Sequence, residues 1–211
     1  MTLTRHAPIR LYRHPLSGHA HRAQLMLSLL GLPCELVDVD LFAGATKTPD
    51  FLARNPLGQV PVIEDGDFTL ADSNAILVYL ALQYDADRRW LPTDARAQAT
   101  VQRWLGVAAG QLASGPAAAR AAHLFQRPAP AQAPALAQRL LGVMEQHLAT
   151  RDWLAATHPT IADIAMYSYT AHAPEGGIAL ADFPAVRAWL ARVEALPGFV
   201  GMHRSPLPEA A

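Results

Sequence analysis

The segment Asn55-Pro56-Leu57-Gly58-Gln59-Val60-Pro61-Val62-Ile63 constrains this chain more than any other part of it. A turn precedes Val60, and a proline stands where a strand should begin. Proline has no N–H for a strand ladder, so Pro61 belongs at the first residue of a strand. Val62 to Glu64 and Phe68 to Ala71 flank Asp65-Gly66, a strong two-residue hairpin signal. Asp72-Ser73 then opens the apolar helical run 75–82. A hydroxyl and a carboxylate at a helix start suit the two ends of an amino acid zwitterion. Free backbone N–H groups attract the carboxylate, and the acid attracts the ammonium. Plain N-capping is the alternative for the same pair.

Upstream of this segment, strand and helix signals alternate. Ile9 to Arg13 reads as a strand, and Ser17 starts a helix whose residues Ala23, Leu25, Met26, Leu29 and Leu30 share one face. Gly31 ends that helix, and 35–40 reads as a second strand. Residues 48–54 form a short helical turn, then come the hairpin and a helix over 73–84. The implied sheet is mixed: a parallel pair joined by a right-handed crossover, plus an antiparallel hairpin, with helices on both faces.

The character changes at 85–94, a polar linker in which Trp90 is expected to dock. From 95 on, the chain is helical and alanine-rich. One long helix over 95–119 is expected to bend at Gly110 and Gly115-Pro116. A proline-rich break at 127–134 leads to a helix over 135–150. Thr160-Ile161-Ala162-Asp163 has the form of a capping box and opens a buried helix through Tyr169. Pro184 opens the last helix, which Pro197-Gly198 ends. The domains are therefore expected at 8–84 and 95–203.

Bulk composition narrows the functional classes. The net charge is −1, which gives neither a nucleic-acid footprint nor a polybasic membrane patch. The apolar run 25–32 is too short to span a bilayer, and residues 1–8 lack an apolar signal core. The single cysteine, Cys34, cannot form an intrachain disulfide, so a reducing cytoplasm is expected. There is no glycine-rich phosphate loop and no dinucleotide fingerprint. His14, His19 and His21 cluster in sequence, yet no acid or cysteine completes a tetrahedral metal set, so no metal is expected. All but one of the 17 basic residues are arginine; the exception is Lys47.

The ordered set Asn55-Pro56-Leu57-Gly58-Gln59-Val60-Pro61, Asp72-Ser73-Asn74-Ala75-Ile76 and Thr160-Ile161-Ala162-Asp163 resembles the soluble glutathione transferases, over residues 8–203. The resemblance implies an α/β thioredoxin-like N-terminal domain, with a mixed four-stranded sheet and a cis-proline, followed by an all-α C-terminal helical domain. It also implies a homodimer and glutathione as co-substrate. Pro61 matches the family's cis-proline, which would present the Val60 backbone to the cysteinyl residue of glutathione like an added strand. Asp72 and Ser73 match the pair that holds the γ-glutamyl end, although many relatives carry Glu at the first position. Lys47 and Gln59 match positions that grip the glycyl carboxylate; a solvated surface lysine is the alternative.

Glutathione attacks as a thiolate, and a free thiol titrating near 8.5 is only slightly ionised at neutral pH. A hydroxyl donor at the tip of the first helix would hold the anion. In serine-type members that hydroxyl stands five residues before an arginine, which points to Ser17 ahead of Arg22; otherwise Ser17 is simply an N-cap. Tyr12 is the backup, as in tyrosine-type members, and His19 is a candidate second donor to the sulfur. The histidines of this loop are expected to be exposed or to line the pocket entrance. Cys34 is expected to be a buried apolar residue with no catalytic part. The resemblance further places a hydrophobic electrophile against Trp104, Ala108, Gln111, Leu112 and Gly115, with Arg120 beside them and Tyr167 and His172 on the rim. Core packing is the competing reading for most of these. The implied activity is transfer of glutathione to an electrophilic carbon. Glutathione-dependent disulfide or peroxide reduction on the same fold is one alternative, and a non-catalytic binding protein is another.

Overall fold

The structure, a computed structural model, describes residues 7–207; most of the amino-terminal stretch read for a signal core, residues 1–6, lies outside that range. Strand β1 (Ile9–Arg13) leads into helix α1 (Gly18–Leu29) and strand β2 (Cys34–Asp38). Helix α2 (Pro49–Arg54), strands β3 (Val62–Asp65) and β4 (Phe68–Ala71), and helix α3 (Ser73–Tyr84) follow. The sheet order is β2-β1-β3-β4, with β1 parallel to β2 and antiparallel to β3. This is the expected mixed four-stranded sheet.

Each boundary has a local cause. Ser17 caps α1 by accepting from the Ala20 N–H, and Gly31 leaves the helix at φ +65°, a conformation open to glycine. β2 begins at Cys34 and stops at Asp38, two residues short of the expected end. β3 begins at Val62, so Pro61 sits just before the ladder, where its missing N–H leaves no gap. Asp65 pairs with Phe68, so the hairpin turns on Gly66-Asp67, not on Asp65-Gly66. Gly66 at φ +63° supplies the first central position of that turn.

Successive residues of β1 face opposite sides of the sheet. Ile9 and Leu11 join Ile63 in the large core beneath α1 and α3. Tyr12 joins Val39, Phe51 and Val62 in a small cluster under α2.

In the second half, α4 (Ala95–Val107) continues through a π-helical stretch, Ala108–Ala117, into α5 (Ala118–Leu124). Pro116 lies inside that stretch. In a regular α-helix its ring would clash with the carbonyl one turn back, and it has no N–H, so the helix widens around it. α6 (Ala133–Leu148), α7 (Ile161–Ala171) and α8 (Pro184–Glu194) complete the fold. Every residue of α7 from Ile161 to Thr170 is buried, which makes it the central helix, packed on α1, α3 and α4. Its start is a full capping box: Thr160 Oγ1 accepts from Ala162 N–H, and Asp163 Oδ2 accepts from Thr160 N–H at 2.9 Å. Trp90 docks as expected, its carbonyl accepting from the Ile161 N–H at 2.9 Å.

Candidate active site

α1 and α3 pack side by side, and their N-terminal ends meet. The contact is direct: Arg22 NH1 donates to Ser73 Oγ at 3.1 Å and lies 3.0 Å from His19 Nδ1. Two helix N-termini and one buried arginine thus converge on one spot, an arrangement that favours anions.

Beside this junction lies a cavity of about 240 Å³ lined by His19, Asn55, Leu57, Gln59, Val60, Pro61, Ala71, Asp72 and Ser73. The Val60–Pro61 peptide bond is cis, as the resemblance implied. Val60 precedes the first ladder pair, and among the described residues nothing hydrogen-bonds its N–H or its C=O. The turn feeding it is rigid. Asn55 Oδ1 accepts from Leu57 N–H and Asn55 Nδ2 donates to Gln59 O, at 3.1 and 2.8 Å. Gly58 carries φ +60°, and a Cβ there would stand 2.7 Å from Lys47 Nζ and 2.9 Å from Thr46 O. Lys47 is exposed and does not line the cavity; its Nζ leans on Gly58 O at 3.4 Å, in the turn whose Leu57 and Gln59 do.

Asp72 adopts φ +76°, a strained conformation for a non-glycine residue and one that gathers at binding sites. Its Oδ1 accepts from the N–H groups of Asn74 and Ala75, both at 2.9 Å, so one oxygen caps α3. Oδ2 has no partner among the described residues. Ser73 is almost fully buried.

Ser17 lines a neighbouring cavity of about 120 Å³, together with His14, Leu16, Leu41, Ala117, Arg120, Ala121, Leu124, Phe125 and Tyr169. Its oxygen accepts the Ala20 N–H at 3.2 Å, which leaves its hydrogen free to donate. His14 Nδ1 accepts from the Leu16 N–H, and Arg120 NH1 donates to the Leu16 carbonyl at 2.7 Å, so the loop carrying Ser17 is tied from both sides.

Several expected placements differ. The Tyr12 hydroxyl donates to Glu64 Oε2 at 3.0 Å and accepts from Arg10, on the α2 face of the sheet and away from the α1 tip. Trp104, Ala108 and Leu112 are core residues, and Gln111 is exposed and lines neither cavity. Gly115 abuts the backbone of Ala137 on α6. The apolar stripe of α4 turns onto α7, so the helix wall facing Ser17 comes further along, at Ala117, Arg120, Ala121 and Leu124. Spacing alone did not reveal Leu41, Phe125 or Tyr169, which come from a loop, the C-cap of α5 and α7.

Tyr167 is buried and donates to Glu194, and His172 is buried against Glu175, so neither lies on the rim. His21 is also buried, bridging Ser168 Oγ and Val200 O; burial holds its pKa down to about 4. Cys34 is only half-buried, and its burial raises the thiol to about 11, far from a nucleophile.

The N-terminal family model of glutathione S-transferases matches residues 7–82, and the C-terminal one matches 115–197. The chain is 35% identical over 205 residues to glutathione S-transferase 3 of Zea mays, covering 92% of both chains. The crystal structure of a glutathione S-transferase from Pseudomonas fluorescens superposes with a TM-score of 0.86 at 36% identity, over 93% of this chain and 99% of that one. A glutathione transferase homologue from Drosophila mojavensis, solved with bound glutathione, gives 0.82 at 27% identity, over 90% and 89%. This chain belongs to the glutathione S-transferase family.

Proposed function

We propose that this protein conjugates glutathione to a hydrophobic electrophile and that the two adjoining cavities divide the work. The observation that carries the proposal is the unbonded Val60 backbone facing the same cavity as Ser73 and Asp72. A tripeptide laid along Val60 completes a strand-like pair of hydrogen bonds. Its γ-glutamyl carboxylate meets the α3 N-terminus and Ser73, its ammonium meets Asp72 Oδ2, and Lys47 and Gln59 lie toward the glycyl end. A relative with glutathione bound supports that ligand.

The cysteinyl sulfur then points toward the α1 tip. Ser17 donates its hydroxyl hydrogen to the thiolate, which lowers the thiol pKa and raises the share of nucleophile at neutral pH. The sulfur attacks the electrophilic carbon, the C–S bond forms, and the leaving group departs with its electron pair. The small cavity beside Ser17, with Leu16, Leu41, Leu124 and Phe125, suits an apolar electrophile. Protein-thiolate disulfide exchange has no support, since Cys34 stands outside both cavities and its thiol is pushed upward.

We place the protein in the cytoplasm on its single cysteine, Cys34; among the described residues no helix is long and apolar enough to cross a membrane. We further read it as a homodimer. An open apolar groove between α3 and α4, lined by Phe68, Leu70, Val78, Leu82 and Leu105, reaches Asp72, which also lines the glutathione cavity. Calorimetric titration tests the core of the reading: glutathione binds with one site per chain, and turnover of an aromatic halide exceeds that of a small disulfide. Absence of binding heat would reduce the chain to a scaffold.

A further inference from the structure

Arg22 is fully buried beneath the glutathione cavity. Its Nε and NH2 have no hydrogen-bond partner among the described residues. Its NH1 lies 3.0 Å from His19 Nδ1 and 3.1 Å from Ser73 Oγ. A guanidinium only donates, so each of those two atoms must accept from it.

This fixes the protons of both neighbours. His19 carries its one ring hydrogen on Nε2, because a hydrogen on Nδ1 would face the Arg22 N–H. Ser73, with a lone pair taken by Arg22, keeps its O–H as a donor; without a ligand that hydrogen faces the bare His19 Nδ1 at 3.3 Å, and it turns to a ligand oxygen when one is bound. His19 Nε2 has no partner among the described residues, yet it is not among the buried unpaired atoms, and His19 lines the cavity. It is therefore an N–H donor open to the ligand.

The surroundings of His19 keep it neutral. Arg22 faces it from its own helix, Ser73 and the acid Asp72 from α3, and the Tyr169 ring from α7, edge to face at 5.0 Å. Burial and then Arg22 hold its pKa down to about 3. Its place also separates it from the sulfur site. His19 Nδ1 is 3.3 Å from Ser73 Oγ and shares the cavity of Ser73 and Asp72, whereas Ser17 lines the other cavity.

Resting on the glutathione reading above, we infer that His19 Nε2–H is a second donor to the γ-glutamyl carboxylate, and that Arg22 is the positioning residue that fixes its tautomer. The His19 N–H and the Ser73 O–H both donate to the ligand, and bonds to a charged oxygen are the stronger ones, so the pair favours a carboxylate over a neutral amide or ester.

The test pairs imidazole nitrogen NMR with calorimetry. In the wild type, His19 should show the Nε2–H tautomer and no titration between pH 5 and 9. His19→Ala should weaken glutathione by about tenfold to a hundredfold, the worth of a hydrogen bond to a charged group. The loss should be smaller for a glutathione analogue whose γ-glutamyl α-carboxylate is an amide, because a neutral acceptor makes the weaker bond. Arg22→Lys, which removes the fork that reaches both His19 Nδ1 and Ser73 Oγ, should release the fixed tautomer, so the imidazole spectrum shows a mixture of Nδ1–H and Nε2–H. If Arg22→Lys does not fold, the wild-type spectrum and His19→Ala still decide. A wild-type His19 titrating near pH 6.5, or an equal loss for glutathione and its amide, would overturn the inference. A wild type that binds no glutathione strikes the underlying reading first, and it shows as lost heat with the imidazole spectrum unaltered.

Discussion

Replacing Ser17 by Ala separates its two roles, because each leaves a different signature. As an N-cap, Ser17 accepts one hydrogen bond, from Ala20 at 3.2 Å. Its loss costs about 1 kcal/mol of stability. As a thiolate donor it contributes a charge-assisted bond worth about 1.5–3 kcal/mol. Since 1.36 kcal/mol is one pKa unit, the bound thiol should rise by about one to two units. Below the thiol pKa, the thiolate fraction and with it kcat/KM should fall about tenfold to a hundredfold. The measurements are the ultraviolet absorbance of the thiolate in the glutathione complex and kcat/KM from mildly acidic to mildly basic pH, alongside a thermal melt. The variant should melt a few degrees lower, and its pH–rate profile should move to higher pH. A lower melt with an unmoved profile would leave Ser17 as a cap alone and refute the catalytic assignment.

Three further outcomes follow from the same geometry. His21 is neutral in the fold with its pKa depressed to about 4, so the unfolded chain binds the proton first as pH drops below 6.5. Stability should therefore fall between pH 6.5 and 4, by at most about 3 kcal/mol from this residue, which thermal melts across that range will show. Asp163→Ala strips acceptors from Leu154 N–H, Thr160 N–H and Trp189 Nε1–H, at 3.0, 2.9 and 2.9 Å, in a fully buried site. Chemical denaturation should record a loss of about 3 kcal/mol or more. Light scattering should give about 45 kDa, twice the 22.7 kDa chain, and Leu82→Glu in the apolar groove should halve it; a monomeric wild type would remove the dimer.

The sequence made those features legible that local chemistry forces. Gly31 was expected to end a helix and Thr160 with Asp163 to cap one, and they do; Pro61, expected at the first residue of a strand, stands one residue before it. The pairing of Asp72 with Ser73 likewise announced a polar helix tip, and the structure sets both beside Val60 in one cavity. What stayed hidden depended on helix rotation and on contacts between distant segments. Trp104, Ala108 and Leu112 have helical spacing that fits a pocket wall as well as a core, and only the packing of α4 on α7 decides for the core. Tyr12 lies one residue from Leu11, and the alternation of β1 carries it to the other face, into the Arg10–Glu64–Arg54 cluster. Nothing in the local sequence joins Arg22 to Ser73 across 51 positions, so the tautomer of His19 could not be read before the fold was known.

A crystal structure of the glutathione complex bears most directly on the central claim. The cysteinyl N–H and C=O should pair with Val60 O and N at about 2.9 Å, with the γ-glutamyl carboxylate on Ser73. Val60 left unpaired, or the tripeptide seated elsewhere, would contradict it.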